Sequence, residues 1–185
     1  MPEQLKRFTV VRSADEEIYC LAYGSNLSVD RMKARCPDAE VFGTSEIPGY
    51  RLLFKKSQTG SYATIEQDAN CSVPVLVYRI SEEDEMLLDR CEGYPKYYYK
   101  REFFLPVRNL KGRRLRNRRI CYAYIMHENR FLGEPSKEYY GLLDKGYERW
   151  GFNKEWLVRA LEDTLGYNAA EKWLEKYEKE NDVHE

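Results

Sequence analysis

Histidine is the scarcest chemical group in this chain: there are two, His127 and His184, among 185 residues. That leaves little room for a histidine-based catalytic triad or for zinc held by imidazoles. The five cysteines (Cys20, Cys36, Cys71, Cys91, Cys121) are odd in number and scattered, with no C-x-x-C pair. A disulfide framework or a structural zinc site needs clustering, so the expectation is mostly buried thiols in a reducing compartment. No apolar run approaches the roughly 18–20 residues of a membrane span, so no membrane partner is expected. Residues Met1 to Arg7 hold no apolar segment that could serve as a signal peptide, which makes cytoplasmic the expected location. The formal net charge is −1 and gives no global reason to expect nucleic acid.

What remains is a globular chain, 43% hydrophobic and 33% charged, long enough for one ordinary domain with a real core. The stretch Tyr19 to Ser28 organises it: a buried strand, Ile18 to Tyr23, runs into the small-residue turn Gly24-Ser25-Asn26-Leu27. A helix is expected to open directly afterwards, with Ser28 as N-cap and Pro37 as its stop. Such a turn aims backbone N–H groups, hydroxyls and a helix N-terminus at one point, which is how folds hold small anions. Phe8 to Val11 could add an edge strand. Short strands are expected at Tyr50 to Phe54, Tyr62 to Ile65 and Val73 to Ile80, separated by the turn signals Pro48-Gly49, Thr59-Gly60 and Asp68-Ala69-Asn70.

The next helix has clear punctuation. Ser81 caps it, Glu82, Glu83 and Asp84 fill its first turn, and Gly93 and Pro95 end it. Met86, Leu87, Leu88 and Cys91 are expected to form its buried side. Two strands of a hairpin follow, Tyr97 to Val107 and Arg119 to Met126, joined by an arginine-rich connector over 108–119. A solvated tip explains that connector better than a nucleic-acid patch, because it is isolated and has few aromatics. Helices capped by Ser136 and Asn153 and a last amphipathic stretch, Ala169 to Lys179, complete the chain. The expectation is one α+β domain over 1–185, with its core at about 18–165 and a helical extension at 166–185.

Three kinds of chemistry can be weighed. A cysteine nucleophile needs a base, and His127, beside a polar loop, fits a surface position instead. A metal site lacks any H-x-x-x-H, C-x-x-C or tight acidic set. The third is a lone carboxylate beside the anion-binding turn. Glu92 stands at the end of its helix, where partial negative charge and any desolvation raise a carboxylate's pKa toward a range useful for proton transfer. Spacing alone does not separate Glu92 from an ordinary helix-end glutamate.

Tyr23-Gly24-Ser25-Asn26-Leu27 after a strand resembles the Y-G-S-N-L signature of the gamma-glutamylcyclotransferase-like (AIG2-like) family. Leu88-Asp89-Arg90-Cys91-Glu92-Gly93-Tyr94-Pro95 is similar to the segment that ends in that family's catalytic glutamate. Gly49 to Leu52, Tyr62 to Ile65, Val73 to Tyr78, Cys121 to Met126 and Pro135 to Tyr139 look like its other segments. The resemblance implies a small closed or partly closed β-barrel with flanking helices, and a cofactor-free enzyme that cyclises a γ-glutamyl group to 5-oxoproline. It places the chain in glutathione or related γ-glutamyl metabolism, as monomer or homodimer. By the same resemblance Glu92 transfers protons, Tyr23, Gly24, Ser25, Asn26 and Leu27 hold the substrate's α-carboxylate, and Tyr124 and Tyr139 border it. Tyr98 or Tyr99 does likewise. The chemistry needs no protein nucleophile, because the substrate's own α-amine attacks its γ-carbonyl. A non-catalytic small-molecule-binding module of the same fold is the alternative.

Overall fold

A computed structural model describes residues 17–182; the edge strand expected at Phe8 to Val11 lies outside them. The described residues fold as a mixed α+β structure with five strands and five α-helices. The first strand, β1 (Ile18–Ala22), is buried at every position. The alternating sequence of a one-faced strand does not apply, because β1 lies in the middle of the sheet and is covered on both sides. A single 3-10 turn, Ser25–Leu27, separates it from helix α1 (Val29–Arg35). Ser28 is the N-cap of α1 but makes no side-chain capping bond.

The three short strands expected next are two long ones, β2 (Glu40–Lys56) and β3 (Ser61–Ile80), paired antiparallel along their length. The turn signals Pro48-Gly49 and Asp68-Ala69-Asn70 face each other across this ladder. Pro48 pairs with Ser72 and Tyr50 with Gln67, so the intervening residues form a bulge. Gly49 takes a positive φ of 75° there, and the Asp68 carboxylate accepts the Asn70 N–H at 3.0 Å. Residues that end strands elsewhere bend these two instead. Thr59-Gly60 does form a hairpin tip.

Helix α2 (Glu82–Glu92) begins and ends as its sequence implies. The Ser81 hydroxyl accepts the Asp84 N–H at 3.1 Å, and Gly93 closes the helix in the left-handed conformation. Its buried side differs from expectation: Leu88 is fully buried, whereas Met86, Leu87 and Cys91 are exposed. Strands β4 (Tyr98–Leu105) and β5 (Arg119–Met126) form the expected hairpin. Helices α3 (Lys137–Trp150), α4 (Glu155–Leu165) and α5 (Tyr167–Asp182) follow, with the Ser136 hydroxyl accepting the Tyr139 N–H at 3.1 Å. Trp173 and Tyr177 stack at 5.6 Å on the buried side of α5.

The sheet order is β2-β3-β1-β5-β4, with β1 and β5 parallel and the other pairs antiparallel. It curls without closing. Thr44 on β2 bridges Arg108, just past β4, by reciprocal backbone hydrogen bonds of 2.9 Å. Gly43 permits this approach, since a Cβ there would lie 2.1 Å from the Arg108 carbonyl oxygen. The fold is thus a partly closed barrel with flanking helices, and the end of β1 opens into its main cavity.

Candidate active site

The cavity measures about 420 Å³ and takes its walls from elements along most of the described chain. The end of β1 and the turn after it supply Tyr23, Gly24, Ser25 and Asn26, and the end of α2 supplies Glu92. Tyr98 comes from β4, Tyr124 from β5 and Tyr139 from α3.

The turn is held rigidly from behind. The Gly24 carbonyl accepts the Leu27 N–H at 3.0 Å and the Ser25 carbonyl accepts the Ser28 N–H at 3.2 Å. Tyr78 donates its hydroxyl to the Asn26 carbonyl, and Trp150 donates its indole N–H to the Leu27 carbonyl, each at 2.9 Å. The turn's carbonyls are therefore engaged, while N–H groups at the start of a helical turn have no intrahelical acceptor. Leu27, expected among the substrate contacts, is fully buried and does not line the cavity. It seats the turn on α3, where Gly146 leaves room for it: a Cβ at Gly146 would come within 2.7 Å of the Leu27 Cβ.

Glu92 is the last residue of α2, and its side chain is 19% exposed. Burial raises its pKa, against opposing effects from the Arg35 guanidinium and a hydrogen bond from the Asn26 side chain. Arg35 Nη1 lies 3.6 Å from Glu92 Oε1 and donates to Asn26 Oδ1 at 3.0 Å. Neither the arginine nor its link to the turn was anticipated from the sequence. The signal was there: Arg31 and Arg35 are one helical turn apart on α1, so both can face the cavity. Arg90 also lines it, as do Ser57, Gln58, Thr59 and Tyr62 from the β2–β3 tip.

The four tyrosines differ in what their hydroxyls can do. Tyr139 accepts the Ala63 N–H at 3.0 Å, and burial raises its pKa, so it keeps its proton and can donate it elsewhere. Tyr23 already donates to the Tyr124 carbonyl and offers only lone pairs. Tyr124 donates to Asp89 Oδ1 at 2.5 Å, and that carboxylate also meets Lys100 Nζ at 2.7 Å. Its ring borders the cavity while its hydroxyl ties β5 to α2. Of the adjacent pair on β4, Tyr98 lines the cavity and Tyr99 donates to Glu128 outside it, as strand alternation requires.

The buried thiols are poor nucleophiles. Burial pushes the Cys36 thiol up to about 12, and Cys20 is raised as well. Among the described residues no group of histidines, cysteines and carboxylates could hold a metal ion. Among the described residues no helix is long and apolar enough to cross a membrane.

Comparison with known proteins bears on the family and the fold. The family model described as gamma-glutamyl cyclotransferase, AIG2-like, matches residues 20–149. A human gamma-glutamylcyclotransferase is 29% identical over 154 residues, covering 79% of each chain. A solved gamma-glutamyl cyclotransferase structure superposes with a TM-score of 0.65 at 27% identity, covering 78% of this chain and 86% of that one. A glutathione-specific yeast cyclotransferase, 13% identical, covers 76% of this chain and 91% of its own with a TM-score of 0.54, a likeness in fold alone.

Proposed function

The chain belongs to the gamma-glutamyl cyclotransferase, AIG2-like family of enzymes, and from that premise we propose that it converts a γ-glutamyl compound to 5-oxoproline with Glu92 as the proton-transfer residue. The observation that carries the reading is that Glu92 and the turn Gly24-Ser25-Asn26, far apart in sequence, border one cavity. The turn's N–H groups hold the substrate α-carboxylate. That clamp sets the α-amine against the γ-carbonyl of the same molecule, so ring closure is intramolecular.

Glu92 takes a proton from the α-ammonium, and the freed amine attacks the γ-carbonyl carbon. The Tyr139 hydroxyl donates to the oxyanion that forms. The protonated Glu92 then delivers its proton to the leaving nitrogen as the old amide C–N bond breaks, and the carbonyl re-forms. Restored as a carboxylate, Glu92 takes a second proton from the ring nitrogen and passes it to the departing amine, so over the cycle two ammonium protons end on the leaving amine and one stays on the lactam nitrogen. No water is consumed. A carboxylate raised by burial suits both halves of this exchange.

Arg31 and Arg90 are exposed on the same cavity, and neither has a carboxylate partner among the described residues. A leaving group that carries an anion fits such a rim better than a neutral one, which favours γ-glutamyl-amino acids over γ-glutamyl-amines.

The test is a panel of both substrate kinds in water enriched in oxygen-18. Unlabelled 5-oxoproline is the expected product, formed faster from the amino-acid conjugates. Labelled glutamate would make the protein a hydrolase and overturn the proposal.

A further inference from the structure

Arg35 has no place in the reaction as described, yet it contacts both halves of the site. It is the final residue of α1, with a side chain 28% exposed, and reaches Asn26 of the turn and Glu92 of α2 at once. We propose that Arg35 is a positioning residue: it locks the Asn26 amide in one orientation and holds the Glu92 carboxylate toward the turn. The inference rests on the reading of Glu92 as the proton-transfer residue.

An asparagine amide has an acceptor end and a donor end. An arginine can only donate, so the 3.0 Å bond from Arg35 Nη1 fixes the Oδ1 end of Asn26 toward α1. The NH2 end then points the other way, and the Asn26 side chain acts to lower the Glu92 pKa, as a donor turned toward that carboxylate does. Without Arg35 the amide is free to turn over and set an oxygen against the carboxylate. Arg35 is itself held in place, because the adjacent Cys36 donates its thiol proton to the Asp84 carbonyl of α2 at 3.5 Å.

Other titratable groups that interact with Glu92 are Cys20 and Tyr23 on and beside β1, Cys36 after α1, Tyr98 on β4 and Tyr139 on α3. Arg31 on α1 and Arg90 on α2 are further cations on the same cavity, but among the described residues it is Arg35 that forms an ion pair with Glu92. Burial raises the Glu92 pKa and Arg35 opposes that rise. Removing Arg35 therefore moves the pKa further up. The free enzyme then loses its ionised base at a higher pH as the solution is acidified, so the acid limb of kcat/KM shifts upward.

The experiment compares wild type, Arg35→Met and Arg35→Lys. Activity on a γ-glutamyl dipeptide is followed from pH 5 to 9, and the Glu92 carboxyl is titrated by carbon-13 NMR with and without turnover. Arg35→Met is expected to lose about tenfold to a hundredfold in kcat, with a smaller change in KM and the acid limb moved up. Arg35→Lys keeps a positive charge without the planar fork, so it should restore the limb and leave kcat reduced. A limb and an NMR titration that stay in place in a folded Arg35→Met protein would overturn the proposal. If wild type itself makes no 5-oxoproline, the catalytic reading falls, while the NMR titration still decides whether Arg35 controls Glu92.

Discussion

Tyr139→Phe separates structure from chemistry at this site. The hydroxyl accepts the N–H of Ala63, a residue 4% exposed, at 3.0 Å, and it sits where a Cβ on Gly24 would meet it at 3.0 Å. Removing it leaves one backbone N–H without a protein partner, at a cost of about 1–3 kcal/mol. The cavity borders this point, so water can reach the orphaned group and the lower end applies. For a protein of this size about 1 kcal/mol lowers Tm by roughly 2–4 °C. The ring survives, together with its edge-on contacts to Tyr62 at 5.1 Å and Phe54 at 6.5 Å between centroids. Loss of an oxyanion donor is far larger in rate than in stability, about 10²–10³ in kcat. Thermal unfolding and steady-state formation of 5-oxoproline, measured on one preparation, test both figures. A variant with the small Tm change and kcat within about threefold of wild type would refute the assignment of Tyr139 as donor to the oxyanion.

The closure of the sheet is tested by Gly43→Ala. Its Cβ would lie 2.1 Å from the Arg108 carbonyl oxygen, in a region held by the Thr44–Arg108 hydrogen bonds and by Ser45 donating to the Pro106 carbonyl at 2.6 Å. Relieving the overlap breaks part of that set, so a loss of about 2–4 kcal/mol in chemical denaturation is expected; a neutral substitution would contradict the close approach. Cys91 is the one exposed cysteine among those described, and it lines the cavity beside Glu92. Alkylation with iodoacetamide should inhibit by filling the cavity, whereas Cys91→Ala should stay active and become insensitive to the reagent. An inactive but folded Cys91→Ala protein would reopen a cysteine mechanism.

Local signals were the legible part of the sequence. The caps at Ser81 and Ser136, the left-handed Gly93 and the strand–turn–helix around Gly24 each depend on neighbours within a few residues. The joining of β2 and β3 into long strands was not legible. Pro48-Gly49 and Asp68-Ala69-Asn70 mark a bulge only because the hairpin sets them opposite each other, which is a property of the pairing. The buried side of α2 was misread for a related reason. Met86 and Leu87 are apolar, yet the helix is held by Leu88 and by Lys100, which meets Glu85 at 2.8 Å and Asp89 at 2.7 Å.

At the site, Tyr23, Gly24, Ser25, Asn26, Glu92, Tyr98, Tyr124 and Tyr139 all reach the one cavity, and Leu27 does not. What each hydroxyl can donate followed from partners distant in sequence: Ala63 for Tyr139, Asp89 for Tyr124, and the Tyr124 carbonyl for Tyr23. Arg35 carries no distinctive signal in the sequence, because a cation at the end of a helix already has an ordinary explanation in the helix dipole.

The central claim is that Glu92 transfers the protons of ring closure, and Glu92→Gln tests it most directly. The amide is close in size to the carboxyl and can still meet Arg35, so the fold should persist. With a γ-glutamyl dipeptide as substrate and 5-oxoproline as the measured product, the account predicts that the folded variant still binds the dipeptide and forms no product above background. A folded Glu92→Gln protein that turns over at the wild-type rate would contradict it.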